Sequence, residues 1–247
     1  MLLIAVNIGV FVWQVQFPID QELERAGLTG GVGQSSVEFG ASASRLTHPG
    51  DGSCSLAGGE IACDADAAGV PLDQADWWVT VLASMFMSGT VLQLGLNALF
   101  LWIFGKSVEE RLGRPRFLLF YLCAGIAAAY AQVLIDTGST TPVIGASGAI
   151  AALIGAHALL YPRAAVLCFV VLPLWSTFVE ARAMIVGAAW FALQLVPILG
   201  HPAISGLAED PGVPWGLLAG GLGFGLVAIR PFAAGRAALA AEREPVY

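Results

Sequence analysis

The sequence predicts an all-α fold, a polytopic membrane protein built as a bundle of six transmembrane helices, and three observations carry that expectation. Hydrophobic residues make up 57% of the chain and charged residues 12%, whereas soluble domains carry about 25% charged residues. Six stretches, residues 2–17, 79–104, 115–135, 144–161, 183–199 and 213–230, are apolar over lengths close to the roughly 20 residues that cross a bilayer core of about 30 Å. The cations are also one-sided. Lys106, Arg111, Arg114, Arg116, Arg163, Arg182, Arg230, Arg236 and Arg243 fall on one side of a six-span arrangement, and Arg25 and Arg45 on the other. Because loops rich in Lys and Arg stay inside, this asymmetry predicts a multi-pass protein of the cell membrane with both termini cytoplasmic.

Taken in order, the first span (residues 1–17) is short. Met1 opens directly onto LLIAVNIGVFVWQ without a basic n-region or a small-residue cleavage site, so it reads as a retained span instead of a signal peptide. Residues 18–78 form the one long hydrophilic stretch, an extracytoplasmic loop rich in Gly, Ser, Ala and Asp. Its carboxylates account for most of the net charge of −7, a balance that argues against nucleic acid as a partner. Cys54 and Cys63 lie in this loop with eight residues between them, and in an oxidising compartment the simplest outcome is a disulfide. Metal binding with His48 is the rival reading, although these residues have no recognised zinc spacing. No other metal constellation is apparent. Cys123 and Cys168 sit in apolar runs and read as packing residues.

Residues 79–230 are expected to form one core of five further spans, followed by a cytoplasmic tail, 231–247. The second span carries Ser84, Ser88, Thr90, Gln93 and Asn97. Gln93 and Asn97 are four apart and project from one helical face. Such residues either hydrogen-bond between helices, at about 0.6 kcal/mol on average, or line a site. The fourth span follows Thr140-Thr141-Pro142 and places Gly145-Ala146-Ser147-Gly148 at a helix start. There, free backbone N–H groups and the helix dipole could stabilise an oxyanion formed when Ser147 attacks a carbonyl. Small-residue packing between helices is the bland alternative.

The following AAVLCFVVLPLW is too short and Pro-broken for a span, and is expected to lie along the inner interface as a re-entrant or surface segment. In the sixth span Gly216, Gly220, Gly221, Gly223 and Gly225 provide two Gly-x-x-x-Gly spacings, fitted for close contact with the fourth span. Leu218, Gly221 and Gly225 would share one face. Trp77, Trp78 and Trp215 at the outer ends, with Trp102 and Trp175 inward, fit interfacial belts.

Three ordered segments together resemble the rhomboid family of intramembrane serine proteases. SMFMSGTVLQLGLNALFLWIFGKSVEERLGRPRFLLFYLCAGIAAA is similar to its second and third spans, VIGASGAIAALIGAHALLYPRA to its Gly-x-Ser-Gly span, and the Gly221/Gly225 pair to its last span. The resemblance implies that Ser147 occupies the nucleophile position, between Gly145 and Gly148, and that its N–H and the Asn97 amide form part of an oxyanion hole. It places Gln93 where the family has the histidine of His-x-x-x-Asn, an exchange that keeps a hydrogen-bond donor but not a titrating ring. It places Leu218 where the family has its general-base histidine, and leucine cannot accept a proton.

His157 stands ten residues after Ser147 on the same helix, about 15 Å deeper, and cannot substitute. His201, Glu209 or Asp210 would have to fold down from the outer loop. The expectation is therefore a rhomboid-like protein that is catalytically impaired, a pseudoprotease whose partners are client transmembrane helices and the lipid bilayer. An active intramembrane serine endopeptidase using Ser147 with an unorthodox base is the alternative. A transporter is disfavoured because no charged residue lies in mid-membrane and no broken helix pair is apparent. No cofactor is implied. Client identity and oligomeric state are not encoded legibly.

Overall fold

An apolar helix with no polar side must be enclosed by other helices or by lipid, and this chain resolves that demand around a single central helix. The structure is a computed structural model that describes residues 2–25, 27–28, 30–47, 54–57, 60–62, 70–73, 75–137, 139–171, 176–194 and 215–234. In chain order the helices and strands are α1 (Leu2–Val15), α2 (Gln21–Arg25), α3 (Gly30–Phe39), α4 (Ala43–Thr47), β1 (Ser55–Ala57), β2 (Glu60–Ala62), β3 (Val70–Pro71), α5 (Trp77–Ser84) and α6 (Val91–Phe100). A π-helical turn (Leu101–Gly105) joins α6 to α7 (Lys106–Leu112), and then come α8 (Arg114–Ile135), α9 (Ser147–Leu160), β4 (Ala165–Val171), β5 (Ser176–Arg182), α10 (Ala183–Leu193) and α11 (Trp215–Ala233).

Three helices, Val91–Leu112, Arg114–Ile135 and Trp215–Ala233, are long and apolar enough to cross a membrane, while α1, α9 and α10 are shorter apolar helices. The protein is a multi-pass helical membrane bundle. At its centre is α9, in which every residue from Ser147 to His157 is buried. It packs against α6, the π turn, α7, α8, α10 and α11, so protein rather than lipid covers it from Ser147 to His157.

The α9–α11 contact follows from glycine. A Cβ at Gly221 would strike the Gly148 carbonyl, and one at Gly225 the Ala152 carbonyl. These two glycines let the helix backbones touch, the close approach that small-residue spacings permit. On its other side α11 meets α8, where a Cβ at Gly216 would sit 2.7 Å from the Ala131 carbonyl. Gln132 Oε1 accepts the Leu217 N–H at 3.2 Å, satisfying one of the free donors at the start of α11.

Two boundaries differ from the sequence expectation. The apolar run 79–104 is not one helix: it breaks between Ser84 and Val91, where Thr90, extended in backbone, caps α6 by accepting the Gln93 N–H at 3.1 Å. The long helix instead continues to Leu112 and stops at Gly113, whose φ of 78° favours glycine. The segment expected as a bare outer loop holds helices α2 to α4 and a three-stranded antiparallel sheet of order β2-β1-β3. A small core of Val37, Cys54, Leu56 and Leu72 holds it together. It is tied to the bundle by the Ala41–Val143 bridge, with the Val143 N–H donating to Ala41 O at 2.7 Å. The segment after α9, expected as a re-entrant or surface stretch, is an antiparallel β4–β5 hairpin.

Candidate active site at the start of the central helix

Ser147 is the first residue of α9 and is 6% exposed. Its approach is built by Gly145, whose φ of 124° is a conformation that favours glycine. The Gly145 N–H donates to Ser84 O at 2.8 Å, fixing the turn on α5. No side chain caps α9, so the N–H groups of its first turn are available to a ligand, at the positive end of the helix dipole.

Gln93 comes to the same place. Its Oε1 accepts the Gly89 N–H at 2.7 Å. Since only the amide oxygen can accept that proton, the NH2 is the end turned to Gly145. A Cβ built on Gly145 would lie 3.2 Å from Gln93 Nε2 and 3.8 Å from Ser147 Oγ, so amide and hydroxyl flank one point. One helical turn along the same face, Asn97 is 4% exposed and its Nδ2 has no hydrogen-bond partner among the described residues. A buried donor without an acceptor is costly, and a donor held ready for developing negative charge is what an oxyanion site requires.

At the position where a base is expected stands Leu218, 3% exposed. It lies one turn before Gly221 on α11, in the same apolar core as Ala146 and Ala149 at the start of α9. Leu217 closes over Gly148 from the same helix, with its Cγ 3.0 Å from the Cβ position there. A small cavity of about 20 Å³ lies beside this point, lined by Ser42, Ser84, Gln132, Gly145, Gly148 and Leu217 among others. Among the described residues no titratable side chain hydrogen-bonds to Ser147. His201, Glu209 and Asp210 lie outside the described residues, as do His48 and Cys63. Cys54 is disulfide-bonded, and no group of three or more His, Cys, Asp or Glu residues gathers to hold a metal among the described residues.

His157 is engaged elsewhere through one ring nitrogen, while its Nε2 is buried without a hydrogen-bond partner among the described residues. Its Nδ1 lies 2.8 Å from Ser107 Oγ, and that hydroxyl donates to Phe104 O at 3.0 Å. Ser107 thus bridges the His157 ring and the Phe104 carbonyl. The ring packs edge-on against Phe104 at 5.2 Å and tilted against Tyr161 at 5.3 Å.

Sequence reasoning missed two buried polar side chains of α1, one of which supports the site. Gln14 of α1 is fully buried, and its Oε1 accepts the Ser88 N–H at 3.0 Å, next to the Gly89 N–H that holds Gln93. Asn7, on the same helix, is 2% exposed and donates to Leu3 O at 2.7 Å. The available signal was two polar side chains seven residues apart in an apolar helix, hence on one face.

A helical membrane bundle with a buried serine at the start of its central helix and the Gln93 amide beside it defines an intramembrane protein with a candidate serine site. The rhomboid domain family model matches residues 74–226, more than half of the chain, and the chain belongs to the rhomboid family. It is 41% identical over 83 residues to Rhomboid protease GluP of Bacillus subtilis, covering 34% of this chain and 16% of that protein. It is 32% identical over 96 residues to the mitochondrial Rhomboid protein 1 of Saccharomyces cerevisiae, covering 37% and 28% respectively. It is 33% identical over 98 residues to the mitochondrial Presenilin-associated rhomboid-like protein A of Danio rerio, covering 39% and 25%. The matches thus span less than a third of these relatives' own lengths.

Proposed function

We propose that this protein is a catalytically impaired rhomboid, a pseudoprotease that receives client transmembrane helices at the outer end of α9 without cutting them. The observation that carries the reading is Leu218. It is buried, has no polar atom, and occupies the face of α11 that packs over the start of α9. In a serine protease the hydroxyl proton must pass to a base within about 3 Å. Leucine offers none, and loss of one member of a catalytic unit can cost about a millionfold in rate. The donors for an oxyanion, by contrast, are kept: Asn97 Nδ2, Gln93 Nε2 and the first N–H groups of α9. A site that can hold a backbone carbonyl but not activate its serine is suited to binding. In this reading Ser147, Gly145 and Gly148 form the floor of a client groove, and the Gly221/Gly225 seam holds it in shape.

The same reading places the protein in the cell membrane with both termini cytoplasmic, residues 18–78 outside, and a Cys54–Cys63 disulfide bracing the outer unit. A second reading, an active intramembrane endopeptidase, is favoured by those retained donors and by the protease named among the relatives. It requires a base from the outer connection between α10 and α11, where His201, Glu209 and Asp210 occur.

The test is reconstitution with a model transmembrane peptide carrying a photo-crosslinker near its outer end. Crosslinking without a cleavage product, unchanged in Ser147→Ala, is expected. A cleavage product that disappears in Ser147→Ala would instead establish the protease.

A further inference from the structure

The break between α5 and α6 lies inside the bundle, and backbone N–H groups buried at such a break need acceptors. Two consecutive ones are met by side-chain amides from different helices. Ser88, wholly buried, donates its N–H to Gln14 Oε1 of α1 at 3.0 Å, and Gly89 donates its N–H to Gln93 Oε1 of α6 at 2.7 Å. Only the oxygen of a side-chain amide can accept, so each bond also fixes where the NH2 points. For Gln93 that is toward Gly145 and the Ser147 hydroxyl. For Gln14 it is toward α3, where Ser35 Oγ accepts at 3.5 Å while donating to Val32 O at 3.1 Å. A glutamine buried in an apolar helix is costly unless its amide is paired, and Gln14 pairs both ends outside its own helix.

α3 is seated at the same point. A Cβ at Gly31 would lie 2.6 Å from Gln14 O and 2.9 Å from Phe17 O, so the backbone of α3 touches the end of α1. Trp13, Phe17 and Phe39 meet edge-on beside it, with ring centroids 5.1, 5.3 and 6.2 Å apart. We propose that Gln14 is a positioning residue: it holds the Ser88-Gly89 turn from the α1 side, keeps the Gln93 NH2 aimed at Gly145, and so transmits the seating of α3 to the Ser147 site. Without the Gln14 acceptor the Ser88 N–H is stranded, and a turn that moves to regain a partner carries Gly89 away from Gln93 Oε1. The Gln93 amide can then rotate and present its oxygen, which repels a carbonyl, where its NH2 stood. That a client carbonyl is bound there rests on the pseudoprotease reading; the positioning of the amide does not.

The test follows the side-chain amide signal of Gln93 by NMR in the full-length protein in lipid nanodiscs, the signal being identified by its loss in Gln93→Leu. Gln14→Met, similar in volume but without an acceptor for the Ser88 N–H, should shift this signal and speed hydrogen exchange at the Gly89 N–H by roughly tenfold. Gln14→Glu keeps an acceptor and should restore both. Asn7→Leu also removes a buried amide from α1, but one that donates to Leu3 O of its own helix, and it should lower the thermal midpoint without moving the Gln93 signal. An unmoved signal in Gln14→Met, or an equal shift in Asn7→Leu, would overturn the proposal. Should Gln14→Met fail to fold, Ser35→Ala, which removes only the acceptor of the Gln14 NH2, is read in the same way. Crosslinking of the model client peptide is then measured in the same variants. Gln14→Met should reduce it, and adding Gln14→Met to Gln93→Leu should reduce it no further, because the two act through one amide. Losses that add would mean that Gln14 acts independently of Gln93 and would overturn the proposal. A wild type that never crosslinks a client would sink the client-binding reading alone, since the Gln93 signal still decides the positioning.

Discussion

The two ends of α9 hold the two ingredients of serine-protease chemistry and treat them oppositely. At one end, Ser147 starts the helix near two amides: Asn97 Nδ2 is buried without a partner among the described residues, and Gln93 is held by Gly89 so that its NH2 faces Gly145. At the other end, His157 is bonded through Nδ1 to Ser107 and wedged between Phe104 and Tyr161. Ten residues of helix separate them, about 15 Å. The difference teaches that one rigid helix can carry a poised site and a structural polar knot at once, and that a histidine in the spans is no evidence of a base. In the proposed reading the base position of the Ser147 end lies on another helix, α11, where the residue is Leu218.

Both ends depend on the glycine seam, so breaking it should have the largest effect. Gly225→Leu would drive a side chain into the Ala152 carbonyl, and overpacking of this kind should cost about 3 kcal/mol or abolish folding. A lowered thermal midpoint in detergent would be the readout. The next effect separates the two ends. Ser107→Ala leaves His157 Nδ1 buried without its hydrogen-bond partner and should cost about 2 kcal/mol, whereas Ser147→Ala, which removes a hydroxyl bonded to no titratable side chain among the described residues, should stay within about 0.5 kcal/mol. Equal losses from the two variants would erase the contrast. Gln93→Leu falls between them: it strands the Gly89 N–H and should lower stability by about 1 kcal/mol. In a Leu218→His background it should also weaken any reaction at Ser147 while Ser107→Ala does not.

Much of this was legible in sequence, for physical reasons particular to each residue. Ser147 could be placed at a helix start because Pro142 and Gly145 punctuate the apolar run before it. The α9–α11 seam could be read because glycine spacing in an apolar helix has few other uses. The break before Val91 was hidden because Met85, Phe86 and Met87 keep the hydropathy high across it, although Ser88-Gly89-Thr90 carried the cap signal. The hairpin was hidden because a seven-residue apolar run has no periodicity that distinguishes strand from helix. The outer unit was invisible because its elements are as short as two or three residues and its core holds four buried side chains. The orientation of the Gln93 amide, which decides whether it can serve an oxyanion, depends on a contact with Gly89 that spacing alone does not reveal.

The smallest expected effect lies outside the bundle. Partial burial, and then the charge of Asp73, raise the Glu38 carboxyl above its ordinary value of 4.5. The folded state therefore holds that proton more tightly than the unfolded chain. The stabilisation it gives is complete below pH 4.5 and is lost as pH rises through the folded value. Glu38→Gln should flatten this part of the stability–pH profile and leave everything at α9 unchanged. A profile that keeps its slope in the variant would remove Glu38 from the account.

The most direct test of the proposed loss of the base is reaction of the purified protein in lipid with a fluorophosphonate serine probe. Wild type should remain unlabelled, Leu218→His should gain labelling, and Ser147→Ala in that background should abolish it. Labelling of wild type that Ser147→Ala removes would contradict the account and point to a base supplied by the connection between α10 and α11.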